Sequence, residues 1–339
     1  MSTPRRADVT AGRATRVSVV ALDGVTDSGV SVALDVLRAA NALSARFGLP
    51  APFSVRVVGA RGPTVTTAAG IVLRVGGTLR QLQTSDVVLV PGCWTEAPED
   101  VDRLLARDDV ARVATALRRA HDRGVIVGAS CTGSFVLAAA GLLDGRKATT
   151  TWWLADVLRA RYPCVDVTEH QTLIVDGTLL CAGTVFAMAD LALAVVARVA
   201  GPILAHQCMK VLLLDEHPSQ APYMALRQTT TDEPGLREAE AYARRHLARG
   251  VSVSQLARAA GMSTRTFARR VEAALGTTPL GFIQRLRLET ATHLLETSPL
   301  SLSEIATRVG YRDAGTLRRL LRDKLDVAPR QLRRTRPAA

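Results

Sequence analysis

The chain has 339 residues, 47% of them hydrophobic, and carries 43 Lys and Arg against 31 Asp and Glu, for a formal net charge of +12. No run of eighteen uncharged apolar residues occurs, which excludes a membrane-spanning helix. The five cysteines (93, 131, 164, 181 and 208) are odd in number, scattered and without a C-x-x-C pair, so they read as reduced cytoplasmic thiols and not as disulfides or a zinc site; neither a metal nor a cofactor is expected.

In chain order, residues 1–15 read as a disordered tail. Arg5, Arg6, Arg13 and Arg16 are followed by no apolar stretch of the kind a secretory signal requires. Residues 16–214 alternate strand and helix. Strands are predicted at 17–22, 53–58, 86–90, 125–128, 148–151, 171–175 and 178–182. Helices are predicted at 30–47, 99–122, 132–140, 152–161, 184–200 and 202–214. Short apolar strands separated by helices imply an α/β domain: a flavodoxin-like parallel sheet sandwiched by helices. Ligands of such sheets sit at the carboxyl ends of the strands.

One segment there stands apart. Val125-Ile-Val-Gly128-Ala-Ser130-Cys131-Thr132-Gly133-Ser-Phe-Val-Leu-Ala-Ala-Ala140-Gly141 reads as strand, sharp turn and helix, with Cys131 at the turn and Gly128 and Gly133 giving room. That is the elbow used to expose nucleophiles, and a thiol at a helix N-terminus is expected to have its thiolate favoured by the helix dipole. The plain alternative is a small residue filling a turn. With Val88-Leu-Val-Pro-Gly92, Gly141-Leu-Leu-Asp-Gly145-Arg-Lys-Ala-Thr-Thr150, Ala182-Gly183 and Asp190, this segment resembles the ThiJ/PfpI branch of the type 1 glutamine amidotransferase-like superfamily. The resemblance implies a pocket formed by Asp27, Cys93, Trp94, Cys131, Thr132 and Thr151. It also exposes departures: the superfamily's enzymes commonly have His directly after the Cys, where this chain has Thr132, and related regulators often have His where Thr151 precedes Trp152. None of the six histidines (121, 170, 206, 217, 246 and 293) falls at a matched catalytic position, so binding without turnover is expected. Trp152 and Trp153 read as packing residues, Cys164, Cys181 and Cys208 as core filler, and Asp190 as the partner of a buried group.

Residues 215–235, rich in Pro, Gln and Thr, read as a linker. Beyond it one helix-turn-helix pattern is written twice. Ser252, Gln255, Ala257 and Gly261 map onto Ser301, Glu304, Ala306 and Gly310 at an offset of 49; Phe267, Arg269, Val271, Leu275 and Pro279 map onto Leu317, Arg319, Leu321, Leu325 and Pro329 at an offset of 50. Each copy opens with capping-box spacing, turns at a glycine and continues in a second helix from near Thr264 or near Asp313. On the first of these, Phe267, Val271, Ala274 and Leu275 form the inward stripe, and Arg265, Ala268, Arg269 and Glu272 the outer face. A helix so divided packs one side on its partner and offers the other to a major groove. Charge agrees: from Arg237 onward there are 20 Lys and Arg against 9 Asp and Glu, whereas residues 1–236 are almost neutral.

Residues 236–336 resemble the AraC family in Leu256-Ala-x-x-Ala-Gly-Met-Ser263, Arg285-Leu-Arg-Leu-Glu-x-Ala291-x-x-Leu-Leu295, Ile305-Ala-x-x-Val-Gly-Tyr311 and Ala328-Pro-Arg-Gln-Leu-Arg333. The resemblance implies an all-α domain with two helix-turn-helix motifs joined by a helix over 280–297, contacting double-stranded DNA through Ser263, Thr264, Arg265, Ala268, Arg269 and Arg270 in the first copy and Arg312, Asp313, Ala314, Gly315, Arg318, Arg319 and Arg322 in the second. Leu317 and Leu321 replace a usual aromatic pair and Leu332 a usual Tyr. Ala314 and Gly315 have no group to hydrogen-bond a base, so the first copy is expected to discriminate bases and the second to anchor phosphates. Taken together, the chain resembles GlxA-type transcription regulators. That implies a cytoplasmic, sequence-specific DNA-binding protein, expected as a homodimer, whose first domain senses a small-molecule effector, mediates dimerisation, or both. Two alternatives stay open: a Cys enzyme of the PfpI class (amidase, glyoxalase or protease) with accessory DNA binding, and a regulator responding to thiol oxidation at Cys131.

Overall fold

The computed structural model describes residues 13–95, 97–215, 217, 219–220, 234–275, 277–325 and 328–333. The chain divides near residue 218 into two compact units. In the first, strands β1 (Thr15–Ala21), β2 (Phe53–Gly59), β3 (Thr64–Thr66), β4 (Val72–Arg74), β5 (Gly77–Thr78), β6 (Val87–Val90), β7 (Ile126–Ser130), β8 (Lys147–Ala148), β9 (Asp166–Val167), β10 (Leu173–Asp176) and β11 (Leu179–Ala182) alternate with helices α1 (Asp27–Arg46), α2 (Pro98–Leu105), α3 (Asp108–His121), α4 (Gly133–Ala139), α5 (Ala155–Arg161), α6 (Met188–Ala200) and α7 (Pro202–Val211).

Seven strands form one sheet in the order β10-β11-β7-β6-β1-β2-β5. All neighbours run parallel except the β10–β11 hairpin at one edge. The predicted parallel sheet therefore holds, with one antiparallel edge strand. The chain passes from β1 outward to β2 and β5 and returns to the other side of β1 as β6. The carboxyl ends of β1 and β6 thus flank the switch point where a doubly wound sheet opens a crevice.

The central strands are apolar on both sides because both faces are covered. In β1, Val17, Val19 and Ala21 pack under α1, α6 and α7, whereas Val20, with Leu22 just past the strand, faces α2, α3, α4 and α5. In β6, Val87 and Leu89 take the first side, Val88 and Val90 the second.

Several expectations are corrected. The 99–122 helix is two, broken at Ala106 and Arg107. Only Ala148 of the 148–151 region is strand, as the end of β8, which pairs with β9 outside the main sheet, so Thr149 to Thr151 are freed to line the elbow. The 152–161 helix begins with a 3-10 turn at Trp152–Leu154, in which the two tryptophans pack edge to face. Cys181 and Cys208 are core residues as expected, but Cys164 is exposed.

The second unit is helical. Helices Val253–Ala259 and Thr264–Leu275 form the first copy of the motif, and Leu302–Arg308 and Ala314–Leu325 the second. Helix Pro279–Thr297 joins them. Its first half (Phe282, Ile283, Leu286) completes a core with Leu256, Phe267 and Val271, and its second half (Leu288, Ala291, Leu295) one with Ile305, Leu317 and Leu321. Leu317, Leu321 and Leu332 fill by aliphatic packing the places where aromatics were expected. Ala274, assigned to the inward stripe, is exposed, because Val271 and the half-buried Leu275 already close that side of the helix. Helix Pro234–His246 starts inside the expected linker; residues 216, 218 and 221–233 of that linker, and residues 1–12 of the expected tail, lie outside the described residues.

All three tryptophans belong to the first unit, so their fluorescence reports its unfolding alone. Leu89 is fully buried between β6 and α6. Leu89→Ala is expected to lower the stability of this unit by about 2–5 kcal/mol in denaturant titrations followed by that fluorescence.

Candidate ligand site and nucleic-acid interface

The reading helices are held by their caps. Ser252 Oγ accepts from the Gln255 amide at 3.3 Å and the Gln255 side chain accepts from the Ser252 amide at 2.9 Å. In the second copy the corresponding Ser301 and Glu304 bonds are 3.2 and 2.7 Å. Gly261 and Gly310 turn the chain at φ +67° and +84°, in the region where glycine carries no steric cost. Gly310 is needed twice over, since a Cβ there would lie 2.3 Å from the Leu247 carbonyl oxygen.

Ser263 and Asp313 cap the second helix of each motif. Ser263 Oγ accepts from the Thr266 amide at 3.2 Å, and Asp313 accepts from the Thr316 amide at 2.7 Å and its hydroxyl at 2.8 Å. Those bonds hold the Asp313 carboxyl below its usual range. Beyond the caps, Thr264, Arg265, Arg269 and Arg270 are exposed and Ala268 is half-buried; in the second copy Arg312, Gly315, Arg318, Arg319 and Arg322 are exposed and Ala314 is half-buried. Each motif thus presents arginines on the side turned away from its core, as the spacing predicts. The connecting helix is fixed by charge as well as packing. Arg244 reaches Glu240 at 2.8 Å and Glu289 at 2.7 Å, and the Arg287 guanidinium lies 5.1 Å from the centre of the Tyr311 ring.

In the first unit, Cys131 ends β7 with φ +55°, a left-handed conformation in a non-glycine residue. Its amide donates to the carbonyls of Ala182 (3.1 Å) and Gly183 (2.7 Å), and its carbonyl accepts the Thr150 hydroxyl at 2.9 Å. Two glycines permit the turn. A Cβ on Gly133 would fall 2.3 Å from the Val90 carbonyl oxygen, and one on Gly92 2.8 Å from the Thr132 amide nitrogen. The Thr132 hydroxyl donates to the Cys93 carbonyl at 2.7 Å, and Cys93 bridges to Val25 in the loop after β1. Carboxyl ends of β1, β6 and β7 therefore meet around Cys131.

Of the residues expected to form the pocket, Cys93, Cys131, Thr132 and Thr151 come together here. Trp94 is 62% exposed, beside Gly24, whose carbonyl accepts its amide at 3.0 Å. The Asp27 carboxylate is engaged by the Thr67 hydroxyl, which holds its pKa down, and by the Ala69 amide at 3.1 Å. Asp190 faces His217, with 3.9 Å between Oδ2 and Nδ1. The hydroxyls of Ser130 and Thr151 are fully enclosed; that of Ser130 has no hydrogen-bond partner among the described residues, and that of Thr151 is aimed at the Cys131 thiol.

A helix N-terminus by itself would favour the thiolate of Cys131, but the thiol is enclosed. Cys131 is 3% exposed. Burial pushes its pKa up to about 11, against a smaller opposite pull from the amide and hydroxyl of Thr132 and the hydroxyl of Thr151. Helix α4 has only seven residues, and desolvation is the largest influence on the thiol. Cys93 is likewise pushed up by burial, to about 12. Among the described residues the groups that act on the Cys131 thiol include no imidazole or carboxylate.

Sequence reasoning missed one pair that shapes this end of the sheet. Arg107, in the break between α2 and α3, pairs with the nearly buried Asp109 through bonds of 3.0 and 2.8 Å and donates to the Asp23 carbonyl at 2.7 Å. That guanidinium ties the loop after β1 to the start of α3. Arg-x-Asp is too common for spacing to have revealed it.

Residues 15–198 match the DJ-1/PfpI family and residues 256–335 a helix-turn-helix domain. The chain is 27% identical over 319 residues to the HTH-type transcriptional regulator CdhR of Pseudomonas aeruginosa, covering 93% of this chain and 90% of that protein. It is 28% identical over 305 residues to the HTH-type transcriptional regulator GlxA of Rhizobium meliloti, covering 89% and 90%. The crystal structure of a ThiJ/PfpI family protein from Pseudomonas syringae shares the fold of the first unit, with TM-score 0.50, 22% identity and coverage of 64% of this chain and 81% of that one. With its elbow at Cys131, its doubly wound sheet and its paired motifs beyond residue 250, the chain belongs to the DJ-1/PfpI family and carries an AraC-type helix-turn-helix domain at its C-terminal end.

Proposed function

We propose that this protein is a sequence-specific, DNA-binding transcription regulator in which the DJ-1/PfpI unit binds a small-molecule effector without converting it. The observation that carries this reading is the pair of capped motifs, each turning arginines away from its core. The relatives CdhR and GlxA, which match over most of the chain, bear names of HTH-type transcriptional regulators. We assign residues 1–15 to a tail, 16–214 to the sensing domain, 215–235 to a linker and 236–336 to the DNA-binding domain. Two motifs reading successive major grooves, on a protein acting as a homodimer in the cytoplasm, complete the proposal. Among the described residues no helix is long and apolar enough to cross a membrane.

Arg265 and Arg269 take the base-reading role, since a guanidinium fork pairs with guanine O6 and N7. Arg318, Arg319 and Arg322 take the phosphate role beside Ala314 and Gly315, which present no polar side-chain atom. The effector site is assigned to the carboxyl ends of β1, β6 and β7 around Cys131, where the buried Ser130 hydroxyl, without a partner among the described residues, offers a hydrogen bond. An enzyme and a redox switch both require a thiolate. Burial of Cys131, and the absence among the described residues of an imidazole or carboxylate acting on it, favour binding over either one.

Effector binding regulates only if the ligand's affinity differs between the DNA-competent and incompetent states. Footprinting of the purified protein on its genomic DNA at two salt concentrations tests the proposal, which requires a recurrent motif that survives the higher salt. Arg269→Ala should cost about 1–3 kcal/mol at that motif and erase preference at one base pair, whereas Arg322→Ala should weaken all sequences evenly and lower the salt slope by about 1. A uniform loss from Arg269→Ala contradicts the base-reading assignment.

With a pKa near 11, Cys131 holds roughly a hundredfold less thiolate at neutral pH than an ordinary thiol near 9. Iodoacetamide at neutral pH should therefore modify the exposed Cys164 well before Cys131, and the Cys131 rate should keep rising as pH climbs toward 11. Rapid, pH-insensitive alkylation of Cys131 would restore the redox and enzyme readings. Cys131→Ser should keep most regulation.

A further inference from the structure

Away from Cys131, four arginines line one cleft on the face of the sheet covered by α3. The cleft lies between the 3-10 turn Leu79–Thr84 and α3, has a volume of about 590 Å³, and is bounded by Arg80, Arg112, Arg119 and Arg123 around Leu79 and Ala116. Arg112 and Arg119 are two turns apart on one side of α3, Arg123 follows just past its end, and Arg80 faces them from the 3-10 turn. All four are exposed. Among the described residues none of their guanidiniums makes an ion pair or hydrogen bond, although Asp108 and Asp122 stand at the two ends of α3.

Other arginines of the unit are paired within the fold. Residues 1–236 carry almost equal numbers of basic and acidic side chains, and Arg13, Arg107, Arg146, Arg159 and Arg161 are each paired with a carboxylate. Complementing the α3 dipole accounts for Arg119 near its C-terminus but not for Arg80, or for Arg112 in its second turn. Four like charges held in one concavity repel one another, so an anion gains from all four at once. The volume falls within the range of small-ligand sites, about 300–1,000 Å³. Guanidinium forks bind phosphate oxygens bidentately, and the Leu79 and Ala116 side chains offer an apolar wall.

We propose that this cleft is a second effector site, distinct from the Cys131 crevice, which takes a small ligand bearing several linked phosphates. The chemistry admits an inorganic oligophosphate or a nucleoside triphosphate. The cleft runs along the groove between the 3-10 turn and α3 and is lined by none of the residues named around Cys131, so both ligands can be bound together.

The test uses the full-length chain, because the arginine-rich DNA-binding domain adds loose binding of any polyanion that has to be subtracted. Calorimetric titrations with tripolyphosphate and with ATP, without magnesium at an ionic strength of about 0.15 M, are compared for wild type, Arg112→Gln/Arg119→Gln and Arg38→Gln, an exposed arginine of α1 on the other face of the sheet. The proposal expects one saturable site in wild type and Arg38→Gln, weakened about tenfold or more in the double variant, with an unchanged circular dichroism spectrum. Equal affinity for the two probes assigns the site to the phosphate chain alone; tighter ATP assigns it to nucleotides. Absence of saturable binding, or equal weakening in Arg38→Gln, overturns the proposal. So does a matching loss of duplex DNA affinity in the ligand-free double variant, since the cleft would then be a DNA contact.

Discussion

The elbow end of the first unit rests on one close approach. The carboxyl end of β6 lies against the start of α4 with no side chain between them, because Gly92 and Gly133 stand where any Cβ would strike backbone. That contact lets the Thr132 hydroxyl hold the Cys93 carbonyl and fixes Cys131 in a left-handed conformation. Such a conformation costs on the order of 1–3 kcal/mol. The two carbonyls that accept the Cys131 amide, from Ala182 and Gly183, offset that cost. The same tightness removes water from the thiol. An arrangement that would expose a nucleophile in a looser site here buries one, and the pKa rises instead of falling.

The second unit depends on helix Pro279–Thr297 in a comparable way. Neither motif has enough apolar surface to close a core alone, and each borrows half of that helix. Glu289 is paired by Arg244, from the helix that precedes the first motif, and Arg287 lies over Tyr311 of the second. The spacing of the two reading helices is thus set by a rigid element shared between cores. A change in the angle of either motif would have to break packing and charge pairs together.

Charge is divided by task. The +11 of the last third supplies affinity for phosphates along DNA, independent of sequence. In the first unit, most of the arginines that bind the fold together are spent on carboxylates or carbonyls: Arg107 on Asp109 and Asp23, Arg159 on Asp156 and Glu169, Arg118 on Ala140. Arg80, Arg112, Arg119 and Arg123 around the α3 cleft, by contrast, pair with no group among the described residues.

The amino-acid sequence by itself determined whatever depends on local spacing. Capping boxes at Ser252 and Ser301, the turn glycines, the alternation of strand and helix, the elbow and the double motif are written within windows of a few residues, where backbone hydrogen bonding and helical period leave few choices. Only the tertiary structure decided what depends on solvent exclusion and on contacts distant in sequence. The break in the 99–122 helix follows from Arg107 reaching Asp23, and the short β8 from the hydroxyls of Thr149 and Thr150 turning to Gln171 and Cys131. The exposure of Ala274 and Cys164 was likewise out of reach of periodicity. Above all, the state of the Cys131 thiol is set by desolvation, which depends on every neighbour being in place.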